Sequence, residues 1–465
     1  MEIKKLPVAL SLLLCLAANG VQAKLNMPAL FTDGMVLQQQ SDVNIWGASD
    51  KTDRTVTVKT SWNGKEYTVK TDKDGKWKTS ISTPAYGGPY SITLSDGDAL
   101  TINDVMIGEV WLCSGQSNMA MFVGGRYGEG IYGNLDAIVT AGNKCIRMFN
   151  ERVQQTDKEL DDCKGRWLPA SSETVPEFSA TAYFFARKLN QVLNVPVGII
   201  NASCGSSRVE SWMSGESLEA YKGNTDIVKP SVLYNGMLNA LVGYGIRGCL
   251  WYQGEANVGS PELYTRLLPD MVKDWRKRWN RGDFPFLYAQ IAPFNYKPKD
   301  GKEINSAYLR EAQVKCLDMI PNSGMIILSD IGYEKTIHPM NKQEVGQRFA
   351  YLSLGKVYGM KGFAVTGPIY KSMKVEGNRA EITFDNTDRG LTTYHKPFSG
   401  FEVAGEDKVF HPASAKFGKG SRTVIVWSKD VPRPVAVRYG FRNYFDGCLF
   451  NSVGLPASSF RTDNW

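Results

Sequence analysis

The chain has 465 residues, with 54 Lys and Arg against 47 Asp and Glu, and 43% of it is hydrophobic. That balance excludes a largely disordered protein, and no Lys/Arg block is dense enough to mark a nucleic-acid binder. Only three His are present, His338, His395 and His411, so a multi-His metal site is excluded and His-dependent catalysis has three candidates. The length predicts two or three domains at roughly 100–200 residues each. The aromatic content (11 Trp, 21 Tyr, 20 Phe) suits a sugar-facing protein, and an aromatic-packed core equally well.

Residues 1–23 carry the pattern of a cleavable secretory leader. Lys4 and Lys5 open it, Val8 to Ala18 form a short apolar run, and Val21-Gln22-Ala23 is a small-x-small cleavage site. The run is too short to span a bilayer, and no other segment is long and apolar enough. An exported protein, secreted or periplasmic, is expected. Loss of the leader removes Cys15 and leaves seven Cys, so at least one stands outside an intramolecular disulfide. No Cys-x-x-Cys pair points to a zinc ribbon or a thioredoxin-type site.

Residues 24–107 read as an N-terminal β domain. Val43-Asn44-Ile45-Trp46 and Thr55-Val56-Thr57-Val58 alternate in side-chain character, and Asn63-Gly64 and Asp74-Gly75 supply tight turns between such runs. Residues 108–365 change period. Short apolar runs at Val110–Cys113, Val197–Ile200, Cys249–Tyr252, Phe286–Ala289 and Met325–Leu328 read as strands. They alternate with helical faces such as Ala182, Phe185, Ala186, Leu189 and Leu193, and a helix through Tyr264 and Trp275 is expected to bend at Pro269. This is the pattern of a parallel sheet covered on both faces. Residues 366–465 return to β character, with strands at Arg379–Phe384, Thr423–Trp427 and Val435–Tyr439.

In open α/β sheets, ligands bind beyond the carboxyl ends of the strands. Four loops there carry chemistry: Ser114–Met119, Asn201–Ser207, Gln253–Asn257 and Ser329–His338. Ser117 follows a strand and a Gly at a helix start, where its hydroxyl serves as a nucleophile if a base lies beside it, or as a plain helix N-cap. The spacing leaves these two readings level. The segment is not the G-x-S-x-G elbow, because Met119 stands where the last Gly belongs. His338 is the only His in the α/β zone and so the natural base; His395 and His411 fall in the β tail. Gly205 reads as a turn residue or as an oxyanion-hole donor, and Gln253 offers a side-chain amide to the same oxygen. Glu255 and Glu210 order their loops through hydrogen bonds or form a glycosidase-like carboxylate pair; loop ordering is favoured.

Together these segments resemble the sialate O-acetylesterase family of the SGNH hydrolases. The matching stretches are Gly108-Glu109-Val110-Trp111-Leu112-Cys113-Ser114-Gly115-Gln116-Ser117-Asn118-Met119, Trp251-Tyr252-Gln253-Gly254-Glu255-Ala256-Asn257, and Ile337-His338-Pro339 with Asn341-Lys342-Gln343-Glu344-Val345-Gly346. The start around Pro28–Gln39 and the end Gly454–Asp463 are similar too, so the likeness spans the chain beyond the leader. It implies an SGNH-type three-layer α/β hydrolase core around a parallel sheet, flanked by N- and C-terminal β-sandwich-like segments. It further implies a serine esterase that removes acetyl groups from sugar hydroxyls through an acetyl-enzyme, with O-acetylated sialic acid as the namesake substrate. Ser117 would be the nucleophile and His338 the base. The N–H groups of Ser117 and Gly205, with the Gln253 side chain, would form the oxyanion hole. Gln116, Arg208, Glu255 and Asn257 would line the substrate, and no metal or organic cofactor is needed.

Two departures from the family pattern stand out. Relatives carry an acid two or three residues before the His, where this chain has Thr336 and Lys335. The third triad member is then Glu334 or Asp330, or a backbone carbonyl that leaves a Ser-His dyad. The segment Ser203–Arg208 lacks the Trp and second Gly that relatives often show. Arg208 either binds a substrate carboxylate or pairs with Glu210. Two alternatives to a sialate esterase follow: an esterase for acetylated xylan or another polysaccharide, and a non-catalytic glycan-binding protein on the same scaffold, motivated by Lys335-Thr336.

Overall fold

The computed structural model describes residues 25–465 apart from 127, 299, 300, 302 and 388, so the leader reading lies outside the described residues. The N-terminal β segment pairs Leu25–Asn26, Asp42–Ser49 and Lys76–Ser82 in one antiparallel sheet. Thr55–Thr60 pairs with Glu66–Lys70 and with Gly87–Ser95 in another. The alternation seen in the sequence has its expected consequence: Val43, Ile45, Val56 and Val58 are fully buried in a shared core. Gly64 and Gly75 take the positive φ that their turns need.

One strand, Ala99–Gly115, joins this segment to the next. Its first half pairs antiparallel with Gly87–Ser95. Its second half lies in a parallel sheet between Val197–Ser203 and Gly248–Tyr252. The boundary expected at 107 therefore falls inside a continuous strand. Gly108 is no break: it lies flat against Pro196, whose carbonyl oxygen would sit 2.1 Å from any added Cβ. The hydrophobic core is likewise continuous from the N-terminal strands into the central sheet.

The central sheet runs in the order Trp167–Pro169, Ile146–Asn150, Val197–Ser203, Ala99–Gly115, Gly248–Tyr252, Phe286–Ala289, Ser323–Ile326, parallel except for the first pair. Side chains alternate between its faces. Trp111, Cys113, Leu250 and Leu287 pack with the helices Ala180–Leu193 and Lys342–Lys356. Val110, Leu112, Trp251 and Phe286 pack with Pro261–Trp279 and Ala307–Met319. Three layers result. The helix Pro261–Trp279 runs on through Pro269. The strand Ala99–Gly115 feeds a connection toward one edge and its neighbour Gly248–Tyr252 toward the other, which opens a crevice between their carboxyl ends.

The C-terminal segment is a sandwich of two four-stranded sheets around a separate core that includes Phe401, Tyr439 and Phe460. Arg310, fully buried on the helix Ala307–Met319, pins it to the central three-layer unit by donating to Ser459 Oγ and to the carbonyls of Gly440 and Arg442.

Candidate active site

The strand Ala99–Gly115 ends on a residue that must be glycine. Gly115 has φ +135°, and a Cβ there would stand 2.2 Å from the Tyr252 carbonyl oxygen. Gln116 continues extended, and Ser117–Ala120 forms a single helical turn. The N-cap position belongs to Gln116, not to Ser117, so the capping alternative for Ser117 falls away. The hydroxyl is free for another partner and finds it in His338, whose Nε2 lies 2.9 Å from Ser117 Oγ.

The other ring nitrogen, His338 Nδ1, is 2.6 Å from Glu129 Oε2. This is a correction. The carboxylate at the ring is neither Asp330 nor Glu334. Both Asp330 oxygens are taken by the Arg348 guanidinium at 2.8 and 2.7 Å. Glu334 is exposed on the rim of a separate groove shared with Arg442 and Tyr444. Glu129 sits at the end of a tight hairpin in which Arg126 and Glu129 exchange two backbone hydrogen bonds, with Gly128 at φ +81° between them. Its second oxygen accepts from Thr336 Oγ1 at 2.9 Å, and Thr336 Oγ1 accepts from the His338 N–H at 3.2 Å. The residue that replaces the family's acid thus holds an acid brought from elsewhere. In the sequence, only the glycine density of 124–130 marks this segment.

The N–H of Ser117, first in its helix, has no intrahelical acceptor. Gly205 is exposed, its N–H meets no acceptor among the described residues, and a Cβ on it would lie 4.0 Å from Ser117 Cβ. Both donors border the Ser117 hydroxyl. Gln253 does not join them, which is a second correction. Its side chain is fully buried, and Nε2 donates both protons internally, to Ser207 O at 3.0 Å and Asn257 Oδ1 at 2.7 Å.

The residues expected to line the substrate are mostly struts, a third correction. Asn257 is buried and donates to Glu210 Oε2 while accepting from the Val209 N–H. Arg208 pairs with Glu210, a carboxylate two residues away, and donates to the Asp226 carbonyl. Gln116 Oε1 accepts from the N–H groups of Gly254 and Ala256, stitching two active-site loops together. Glu255 is buried. One of its oxygens accepts from Asn118 Nδ2 at 2.6 Å and the other has no partner among the described residues. Burial pushes its carboxyl above the usual range.

Asn118 and Lys342 went unmarked as site residues in the sequence reading. Asn118 Nδ2 reaches both Glu255 and the Ile337 carbonyl, and its Oδ1 accepts from Lys342 Nζ. Lys342 is fully buried, and burial lowers its pKa to about 7 against the pull of Glu255 and Glu129. His395 and His411 lie in the C-terminal β segment. The seven described cysteines are unpaired. Among the described residues no helix is long and apolar enough to cross a membrane, and no cluster of His, Cys, Asp and Glu has the makings of a metal site.

Comparison with known proteins agrees with this geometry. A profile of the family described as carbohydrate esterase, sialic acid-specific acetylesterase, matches residues 107–354. The sialate O-acetylesterase of Homo sapiens is 29% identical, with 73% of this chain and 72% of that protein covered. That of Mus musculus is 27% identical, with 92% of each covered. The crystal structure of a carbohydrate acetylesterase from Xanthomonas citri superposes with a TM-score of 0.86 at 34% identity, covering 95% of this chain and 100% of that one. The chain belongs to the sialic acid-specific acetylesterase family of carbohydrate esterases and is a carboxylic ester hydrolase acting on acetylated sugars.

Proposed function

We propose that Ser117, His338 and Glu129 form the catalytic triad of a sugar O-acetylesterase whose preferred substrate is O-acetylated sialic acid. The observation that carries the mechanism is the unbroken chain from Glu129 Oε2 to His338 Nδ1 and from His338 Nε2 to Ser117 Oγ, at 2.6 and 2.9 Å. Glu129 accepts the Nδ1 proton, which leaves Nε2 as the base facing the serine. Ser117 Oγ attacks the acetyl carbonyl as its proton passes to Nε2. The Ser117 and Gly205 N–H groups receive the developing oxyanion. His338 then returns the proton to the departing sugar oxygen, leaving acetyl on Ser117 and a free sugar hydroxyl. Water, deprotonated by His338, attacks the acetyl-enzyme; the bond to Ser117 Oγ breaks, His338 returns the proton to Oγ, and acetate leaves.

The glycan-binding alternative drew on the absence of an acid at 335 and 336. Glu129 fills that place, so the catalytic reading is favoured. The sialate preference rests on the curated relatives. Arg208 does not strengthen it, because it is already paired with Glu210 and the Asp226 carbonyl through two of its donors. Export from the cytoplasm is the destination that the leader pattern of residues 1–23 supports.

The test is acetate release from O-acetylated sialic acid and from acetylated xylan, side by side, with Ser117→Ala as control. A higher kcat/KM on the sialate supports the proposal. Faster turnover of xylan refutes the substrate assignment, and turnover that survives Ser117→Ala refutes the triad.

A further inference from the structure

The strangest group near the triad is one the mechanism does not use. Lys342 is the first residue of the helix Lys342–Lys356 and has no solvent exposure. An ammonium there faces the positive end of the helix dipole. Among the described residues it forms no ion pair; its one hydrogen bond is to Asn118 Oδ1, with the Tyr252 ring 5.3 Å away. Burying such a group without a carboxylate partner is costly, so its retention calls for a reason.

We propose that Lys342 is a positioning residue for the esterase reaction: it fixes the amide of Asn118, and that amide locks the nucleophile turn to the histidine loop. As an ammonium, Lys342 can only donate. It therefore holds the Asn118 oxygen toward itself and turns both amide protons toward Glu255 Oε1 at 2.6 Å and the Ile337 carbonyl at 3.1 Å. Asn118 adjoins Ser117 and Ile337 adjoins His338, so one side chain ties the backbone of the nucleophile to that of the base. With an apolar residue at 342, the buried Asn118 oxygen would lose the one donor it has among the described residues, at the cost of an unsatisfied buried acceptor. The amide would then swing to relieve that oxygen and fall out of line with Glu255 Oε1 and the Ile337 carbonyl. The alignment of Ser117 Oγ with His338 Nε2 would go with it.

The inference rests on Ser117 and His338 being the reacting pair. Its test uses the full chain, comparing Lys342→Met, similar in size but without a donor, with Lys342→Gln, which keeps one. The readouts are acetate release and the rate at which a fluorophosphonate probe labels Ser117. For Lys342→Met, kcat should fall roughly 10- to 100-fold while KM changes less than about threefold. Labelling should slow in parallel, and Lys342→Gln should recover most of both losses. A Lys342→Met enzyme with wild-type kcat, or a loss carried by KM alone, would overturn the proposal. If Lys342→Met does not fold, Asn118→Asp takes its place, since it keeps the acceptor for Lys342 and removes both donors; an unchanged labelling rate would overturn the proposal as well. Wild-type turnover that Ser117→Ala leaves intact would sink the reading of the reacting pair. Turnover lost in Ser117→Ala but kept in Lys342→Met would sink only the role of Lys342.

Discussion

The two turns that present Ser117 and Glu129 are built in opposite ways. The serine turn is braced from all sides. Gly115 is wedged against Tyr252, Asn118 makes three side-chain contacts, and the carbonyls of Asn118 and Met119 accept from Thr181 and Ser179. The glutamate turn is an exposed hairpin with glycine at 124, 125, 128 and 130, tied to the rest of the site through Thr336 and His338. The difference fits the proposed mechanism. An atom that forms a covalent bond needs fixed placement, whereas a carboxylate that orients a ring through a hydrogen bond tolerates a softer mount.

Substitutions can break that contrast, and the largest effect belongs to the braced turn. Ser117→Ala should lower kcat by roughly 10⁴-fold or more in an acetate-release assay, with thermal stability unchanged. Glu129→Gln should cost less, about 10²- to 10³-fold, because the base persists while its tautomer and charge support are lost. Next comes a pH effect on the brace itself. Lys342 titrates near 7 in the folded chain against 10.5 when unfolded, so the unfolded chain binds more protons between those values and stability rises with pH there. Measured against Lys342→Met by urea unfolding, the wild type should gain about 3 kcal/mol between about pH 6 and about pH 9. Thr336→Val removes the hydroxyl between Glu129 and the His338 N–H and should lower kcat about tenfold, as loss of a hydrogen bond to a charged group implies. Glu334→Gln, on a separate groove, should change kcat no more than about twofold.

How much of this could be read from the sequence follows from distance along the chain. Ser117 and His338 sit in contiguous motifs, and each is read from its neighbours. Glu129 lies 209 residues from the histidine it serves, and no local pattern marks a carboxylate for a partner so remote. Thr336 read as a loss because one position was compared without its spatial neighbour. Gln253, Arg208 and Asn257 are polar residues on active-site loops, and polarity does not reveal whether a donor faces the cleft or another strut. The alternation of strands and helices set out the three layers correctly, since burial on two faces imposes that period. The continuity across 107 escaped notice because the side-chain period changes there, although Gly108 and Glu109 are both buried within one strand.

That strand has a consequence for how the protein can be cut. An appended module is ordinarily lost or exchanged by recombination at a linker. Here the N-terminal segment and the serine share a single backbone, and severing it at 107 would strip the strand of Gly87–Ser95 and leave hydrogen-bonding groups open to self-association. A fragment that keeps this strand paired must therefore carry Gly87–Ser95 along with the whole of Ala99–Gly115.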